Sequence, residues 1–340
     1  MKEKDENMKQ KMQKVISIFL ISLMLCTLTA CSSSNESESN VDVKELAEGI
    51  LMVIGNESIP YEEAFAYVYM LKQQYESAMG ENIWDCQVEE GVDFESYAKD
   101  QIVDLIMQTK IISQQGENLD IHLTEDEIWE AKSMASRFMK TVSEEDAAEY
   151  RLTEELMAGI YEDHILAGKV YEIVTNEVDT NISDAEAKQV TVQYLMVMTK
   201  GIDVNGNKVE MNAEEQKQAK KEAKALYKKA KELTTNFYTF AETNTDAKEV
   251  EITFGENNMP KDFGEVAMEL KKDQMSPLIT GENGYYIVYC VNDFDEDATM
   301  AKKEEIIAKR KDELFRQKYL EWSERIKLVI STAMWDAIEF

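Results

Sequence analysis

The sequence predicts an α+β protein in which a mostly helical domain is interrupted by an insert that contains strands. Only 3 prolines and 13 glycines stand among 340 residues, a composition that favours helix. Apolar residues recur at three- and four-residue spacing through most of residues 41–189. At Val190 the spacing changes to two, which is typical of a strand. A last long helical pattern closes the chain and needs other helices to cover its apolar face.

The first thirty residues have the layout of a secretory signal peptide. A lysine-containing start is followed by an apolar run from Val15 to Leu28 and by the small residues Thr29 and Ala30. Cys31 comes directly after them, and this arrangement resembles the lipobox of bacterial lipoproteins. The resemblance implies that residues 1–30 are removed and that lipid on Cys31 anchors the protein at the extracytoplasmic face of the cell membrane. The alternative is an N-terminal anchor that stays uncleaved.

A flexible tether and a helical domain are predicted next. Residues 31–40 are rich in serine and acidic residues and cannot bury apolar surface, so they predict the tether. Residues 41–189 predict the helical domain. Five helices are expected in it. The first begins at Tyr61, after Pro60, and the second extends from Phe94 to Gln115. The third extends from the capping-box pattern Thr124–Glu127 to about Thr141, the fourth begins at Ser143, and the fifth extends from Thr153 to about Glu177. A second capping-box pattern stands at Ser183–Glu186.

Residues 190–297 form the predicted insert. Its first strand places Tyr194, Met196 and Met198 on the same face, because successive side chains of a strand point to opposite sides. The elements expected after it are a helix from Asn212 to about Leu233, a shorter segment with Phe237 and Phe240, a strand at 250–254, a short helix at 263–270 and a strand at 285–291.

Residues 298–340 predict one long helix, from about Lys302 to Ile330. Its apolar stripe is too extensive to remain in water. We therefore expect this helix to pack on the helical domain of residues 41–189, which makes the strand-containing region an insertion.

Charge and residue content exclude several functions. The net charge of −30 argues against nucleic acid as a partner. The two histidines, His122 and His164, lie apart and are interpreted as ordinary helix-edge residues, and the cysteines lack the spacing of a metal site. The sequence therefore predicts no metal and no cofactor. Cys86 and Cys290 fall in different predicted domains, so a disulfide between them is not expected.

The order of elements in the insert resembles that of the parvulin-type peptidyl-prolyl isomerase domain. Five segments carry the resemblance: Val192–Val197 is similar to the family's R-H-I-L-V, Asn236–Ala241 to D-F-x-x-L-A, Phe254–Phe263 to W-F-x-x-G-Q-M-x-P-x-F, Leu270–Ser276 to L-K-x-G-E-I-S, and Asn283–Val288 to F-G-Y-H-I-I. The resemblance implies a small antiparallel sheet wrapped by helices.

The flanking segments resemble PrsA- and SurA-type foldases. Val53–Ile59 is similar to the V-N-G-E-x-I that opens the helical domain of those proteins, and Ser183–Glu186 is similar to their V-S-D-x-E link. The resemblance implies a membrane-anchored extracytoplasmic foldase whose partners are unfolded or partly folded secreted polypeptides. The sequence leaves homodimer formation open.

The resemblance also assigns site residues. It implies that Met259 and Phe263 form a proline pocket with Asn258 as a further substrate-binding residue, whereas ordinary core packing is the alternative interpretation. Tyr194 and Tyr286 occupy the positions of two family histidines, and Asp246 stands near the family's central Cys or Asp. The catalytic residues of this degenerate parvulin pocket are thus expected to be Tyr194, Asp246, Met259, Phe263 and Tyr286.

Three functions follow from these observations. The first is a membrane-anchored foldase or chaperone that assists secreted proteins and retains a parvulin-like domain. The second is an active peptidyl-prolyl cis-trans isomerase. The third, of another class, is a small-molecule-binding lipoprotein of a transporter, which would need repeated strand–helix alternation along the chain.

Overall fold

The computed structural model describes residues 46–89, 91–202, 208–233 and 236–331, together with Trp335 and Ile338. The expected signal peptide, Cys31 and the tether lie outside the described residues. Within the described part, no helix is both long enough and apolar enough to cross a membrane.

The chain divides into two compact units. The first comprises the described residues up to Glu177 together with those from Asp312 onward, and the second comprises Val178–Lys311. The second unit contains the whole of the expected insert, residues 190–297, with flanking residues on both sides. The first unit is thus discontinuous in sequence, and the second interrupts it.

The first unit is mainly helical. Its elements before the interruption are β1 (Ile50–Ile54), β2 (Glu57–Pro60), α1 (Tyr61–Met79), a 3₁₀ helix (Glu81–Asp85), β3 (Gln87–Glu89), β4 (Val92–Asp93), α2 (Phe94–Asn118), α3 (Glu125–Met139), α4 (Glu144–Glu149) and α5 (Glu154–Thr175). The capping box expected at Thr124 is confirmed, because Thr124 Oγ1 accepts from the N–H of Glu127 while Glu127 accepts from the N–H of Thr124.

The second unit contains most of the strands. Its elements are α6 (Asp184–Ala187), β5 (Gln189–Met198), β6 (Lys200–Ile202), β7 (Lys208–Glu210), α7 (Ala213–Lys231), α8 (Phe237–Asn244), β8 (Glu251–Gly255), α9 (Lys261–Glu269), β9 (Ile279–Gly281) and β10 (Gly284–Asn292). The main sheet has the order β8-β5-β10-β9, and all its neighbouring strands are antiparallel. The α+β fold with a small antiparallel sheet is therefore confirmed.

The main sheet of the second unit is covered on both faces. Leu195, Val197 and Ile287 point to one face and pack against the apolar side of α7 and α8. Val192 and Val288 point to the other face, where Phe263 and Ala267 of α9 pack against them. Because β10 is buried on both sides, it forms a nearly continuous apolar run in the sequence.

The last elements are α10 (Glu296–Ser323) and β11 (Leu328–Ile330). The predicted extension of the last helix to Ile330 is wrong, because residues 328–330 pair antiparallel with β1, with Met52 opposite Ile330. The short apolar run around Met52 is the central strand of a sheet with the order β11-β1-β2. Helical spacing continues past Ser323 in the sequence, but β1 offers unpaired backbone groups that this segment satisfies.

The second expected capping box, at Ser183–Glu186, is only half formed. Ser183 Oγ accepts from the N–H of Glu186, but no reciprocal bond completes a capping box at this site. The carboxylate of Glu186 instead lies 2.6 Å from Nη2 of Arg310 on α10. This glutamate therefore binds the part of α10 that belongs to the second unit.

A buried charge cluster lies inside the first unit. The ammonium of Lys110 on α2 is 2.7 Å from Glu57, 3.0 Å from Glu63 and 2.6 Å from Asp163. Burial by itself would lower the pKa of Lys110, but Glu63 and Asp163 outweigh it, and the pKa is raised. Burial raises the pKa of both Glu63 and Asp163 in spite of the lysine. One side chain thus links β2, α1, α2 and α5.

His164 lies beside this cluster and not at a helix edge, so the sequence interpretation of this residue was wrong. It is only 6% exposed, and its Nε2 lies 3.3 Å from the hydroxyl of Tyr67. Burial, with the nearby Lys110 charge, lowers its pKa from 6.5 to about 4. His122 is exposed beside Asp120. Cys86 and Cys290 are both free thiols, the first exposed and the second buried.

Candidate functional site

A cavity of about 270 Å³ opens on the α9 face of the main sheet. It is lined by Tyr194, Met196 and Met198 of β5, Lys200 and Gly201 of β6, Met259 and Pro260 just before α9, Phe263 of α9, and Asn283 and Tyr286 at the start of β10. Four residues of the expected catalytic set, Tyr194, Met259, Phe263 and Tyr286, are therefore brought together.

Strand register explains why the β5 and β10 side chains meet. Tyr286 lies directly opposite Met196, and Val288 lies opposite Tyr194. Directly opposed residues of an antiparallel pair point to the same face. Tyr194, Met196 and Met198 are spaced by two, so all three share the face that carries Tyr286.

Phe263 forms the floor of the cavity. It is 1% exposed, and its ring meets those of Tyr194 and Tyr286 edge to face, each with centroids 5.4 Å apart. The helix that carries it begins at Lys261, directly after Pro260, whose fixed φ suits helix entry. Met259 therefore precedes the helix, and it reaches the cavity from the loop rather than from one helical face with Phe263.

The two phenols are uncharged at neutral pH. Burial raises the pKa of Tyr194, with the nearby Glu249 adding to it. Burial also raises the pKa of Tyr286, with Tyr194 as the next cause. No hydrogen bond joins the two hydroxyls, and neither hydroxyl has a hydrogen-bond partner among the described residues. Both O–H groups are therefore available to a ligand in the cavity.

Asp246 is not part of the cavity lining but binds the strand that carries it. Its Oδ2 accepts from the N–H of Met198 at 2.9 Å, and its own N–H donates to the carbonyl of Met196 at 2.9 Å. Thr245 Oγ1 accepts from the N–H of Met196 at 2.9 Å. These bonds satisfy the part of β5 that β8 does not pair, and they hold both methionines against the cavity.

Asn258 also lies outside the cavity lining. It is exposed, and its Oδ1 accepts from the N–H of Gly255 at 3.1 Å. Its own N–H donates to the carbonyl of Gly255 at 3.3 Å, and Asn257 between them has a positive φ of 64°. The side chain thus closes the turn that leads from β8 to Met259.

The cavity wall is apolar apart from its rim. Lys200 pairs with Glu282 at 2.9 Å and with Glu210 at 3.4 Å, so its charge is balanced. No group of histidine, cysteine and acidic side chains that could hold a metal ion occurs among the described residues. This site suits the binding and desolvation of an apolar ring, with two neutral hydroxyls to orient it.

Sequence reasoning missed six lining residues, namely Met196, Met198, Lys200, Gly201, Pro260 and Asn283. The two-residue alternation from Tyr194 placed Met196 and Met198 on its face, and that signal was sufficient to find them. The positions of Lys200 and Asn283 depend on the hairpin and turn after each strand, which periodicity does not reveal.

A second, wider groove lies on the opposite face of the sheet. It has a volume of about 860 Å³ and none of the expected site residues lines it. Phe237 of α8 and Tyr289 of β10 stack in its wall with ring centroids 5.4 Å apart, and Tyr289 donates to Asp273 at 2.9 Å.

Comparison with known domains gives two matches. Residues 202–292 match the PPIC-type PPIASE domain, also described as rotamase, and residues 6–152 match the SurA-like N-terminal domain. The first match contains Asp246, Met259, Phe263 and Tyr286 but begins after the strand that carries Tyr194.

Relatives that match nearly the whole chain are each described as a foldase protein PrsA. The chain is 24% identical over 334 residues to a foldase protein PrsA of Caldanaerobacter subterraneus subsp. tengcongensis, covering 94% of this chain and 100% of the relative. It is 23% identical to a foldase protein PrsA of Clostridium botulinum strain Langeland, covering 93% and 96%. A crystal structure of foldase protein PrsA from Lactococcus lactis is 15% identical, covers 84% of this chain and 95% of that chain, and has a TM-score of 0.37.

The SurA-like match covers most of the first unit before the interruption, and the rotamase match lies inside the second unit, where the apolar cavity is found. The chain is thus similar to PrsA/SurA-type parvulin-like foldases in both domain matches and over most of its length.

Proposed function

We propose that this protein is an extracytoplasmic foldase or chaperone that binds unfolded or partly folded secreted polypeptides. The observation that carries the proposal is the apolar cavity of the second unit, with Phe263 as its floor and tyrosines and methionines as its walls. Thioether side chains adapt to differently shaped partners, which suits a protein that binds many clients. The relatives named foldase protein PrsA support the same function.

The binding step follows from the chemistry of the cavity. A proline ring or another small apolar side chain that enters it exchanges water for the Phe263 and Tyr286 rings and the Met259 thioether. The peptide bond at the rim then meets the hydroxyls of Tyr194 and Tyr286, which can donate to its carbonyl. Neither contact needs a charge, and the raised pKa values of both phenols keep the site neutral.

Prolyl isomerase activity is the second candidate function. It is favoured by the fact that Met259 and Phe263, the two residues that the parvulin resemblance assigns to the proline pocket, line one cavity. Rotation about an X–Pro bond removes the amide resonance, and a site that desolvates the bond favours the twisted state. Tyr194 and Tyr286 take the positions of the family's histidines, so the hydrogen bonds to this state would come from phenols.

One paired assay separates the two functions. The rate of isomerisation of a proline peptide is measured beside suppression of aggregation of an unfolded protein. Suppression without rate enhancement assigns the chaperone function alone. Phe263→Ala and Met259→Ala should reduce both effects, whereas Met300→Ala, at an exposed position of the same unit, should reduce neither. A protein that neither suppresses aggregation nor accelerates isomerisation would refute the proposal.

We also propose that lipid on Cys31 anchors the protein at the outer face of the cell membrane. The proposal rests on the sequence alone, from the apolar run through Leu28 to the small residues before Cys31. Cys31→Ala should release the protein from the membrane fraction. A variant that remains bound would contradict the lipid anchor and favour an uncleaved N-terminal segment.

A further inference from the structure

Three methionines converge on the cavity of the second unit. Met196 and Met198 project from one face of β5, and Met259 reaches the same space from the loop before α9. Each of the three is partly exposed, so a small solute in the cavity can reach it. Fully buried methionines such as Met52 and Met157 lack this access.

A thioether in this position has a specific reactivity. Hydrogen peroxide transfers one oxygen atom to the sulfur, so that an S–O bond forms, the O–O bond breaks and water leaves. The sulfur loses two electrons and the peroxide gains them. The product, methionine sulfoxide, is polar and can be returned to the thioether by a reductase.

The walls of the cavity determine the consequence of this step. A sulfoxide oxygen is a hydrogen-bond acceptor, and the hydroxyls of Tyr194 and Tyr286 are donors without partners among the described residues. A bond between them places polar atoms in the space that an apolar group would occupy. An incoming apolar group must then break that bond or leave the sulfoxide desolvated.

We propose that Met196, Met198 and Met259 form an oxidation-sensitive thioether cluster that reversibly turns off binding of apolar, proline-containing segments. The proposal rests on the proposed function, because it regulates the same cavity. The oxidant is a hydroperoxide, which needs no cofactor from the protein. Under oxidising conditions the protein releases its clients, and reduction of the sulfoxides restores binding.

The chain provides matched controls. Met79 is 60% exposed and Met300 is 62% exposed, so both oxidise readily, but neither lines the cavity. Their oxidation adds a polar group to a surface already in water and changes nothing in the cavity. Met300 lies in the same unit as the cluster, which makes it the closer control.

The test uses the full chain and a fluorescent proline peptide as the probe. Affinity is measured before peroxide, after peroxide and after treatment with methionine sulfoxide reductases, and the oxidised residues are identified by mass spectrometry. We expect a loss of about tenfold or more on oxidation, as for one desolvated polar group, and recovery on reduction. M79L/M300L should lose the same factor, whereas M196L/M198L/M259L should lose much less, each compared with its own unoxidised form.

A second measurement does not depend on any variant. Saturating peptide should slow oxidation of Met196, Met198 and Met259 while leaving the rates at Met79 and Met300 unchanged. Failure of the unoxidised protein to bind the peptide refutes the proposed function. Binding that survives complete oxidation of the three methionines refutes the switch alone, as does an equal loss in the leucine triple variant.

Discussion

Replacing His164 by glutamine should make the stability of the first unit less sensitive to acid. His164 is buried against Tyr67 and near Lys110, and its pKa is lowered from 6.5 to about 4. In the unfolded chain the imidazole of His164 binds a proton below about pH 6.5, but in the folded unit it binds one only below about pH 4. The folded state is therefore destabilised as the pH falls between these values, and it loses no more from this group below them.

The size of the effect follows from the shift. A difference of about 2.5 units between 6.5 and about 4 corresponds to a loss of about 3 kcal/mol, of which about 2 kcal/mol is already lost at pH 5. Glu63 and Asp163 act in the opposite direction because burial raises their pKa values, but both the native protein and His164→Gln retain them. The comparison between the two proteins therefore isolates the histidine.

The assay is chemical denaturation followed by tryptophan fluorescence between pH 7 and 4. All four tryptophans, Trp84, Trp129, Trp322 and Trp335, belong to the first unit, so the signal reports that unit alone. His122→Gln is the control, because the His122 side chain is 68% exposed. His164→Gln should flatten the fall in free energy of unfolding, and His122→Gln should not. Equal pH dependence of His164→Gln and the native protein would refute this reasoning.

Three further predictions concern both units. Lys110→Met should destabilise the first unit by about 3–5 kcal/mol, because three carboxylates lose their buried partner. The control Lys99→Met, which breaks only an i,i+4 ion pair with Glu95, should cost about 0.5 kcal/mol or less. Denaturation followed by tryptophan fluorescence measures both. Gly284→Ala should destabilise the second unit by about 1–3 kcal/mol, because the new Cβ would collide with the carbonyl oxygen of Val197. The control Gly264→Ala places its Cβ at ordinary contact distances and should not destabilise the unit. Thermal unfolding followed by tyrosine circular dichroism distinguishes the two variants. Phe263→Ala should lower the free energy of unfolding of the second unit by about 3–5 kcal/mol and weaken the binding of a proline peptide. A variant that loses stability but binds the peptide fully would contradict the place of Phe263 at the floor of the cavity.

Local signals in the sequence were sufficient for most elements. The capping pattern at Thr124–Glu127 and the alternation along β5 identified a helix start and a strand face, because both depend on neighbours within a few residues. The strand β11 was missed because its partner, β1, lies far away in the chain, with Met52 paired to Ile330. Helical spacing is a weak preference, and pairing with β1 overrides it.

The same distinction applies to the candidate site. Phe263 and Met259 were expected together from a resemblance, and they line one cavity with Tyr194 and Tyr286. Asp246 and Asn258 were expected in the site, but their side chains bind backbone N–H groups of β5 and of the turn before Met259. Side-chain bonds to backbone depend on the path of each loop, which residue type alone does not determine.

The most direct test of the cavity as the binding site is a nuclear magnetic resonance titration of protein labelled at the methionine methyl groups. The peptide contains one proline, and the control peptide has alanine in its place. We expect chemical-shift changes at Met196, Met198 and Met259 with the proline peptide, and none at Met79, Met157 or Met300. Shifts confined to methionines outside the cavity, or equal shifts with both peptides, would contradict this expectation.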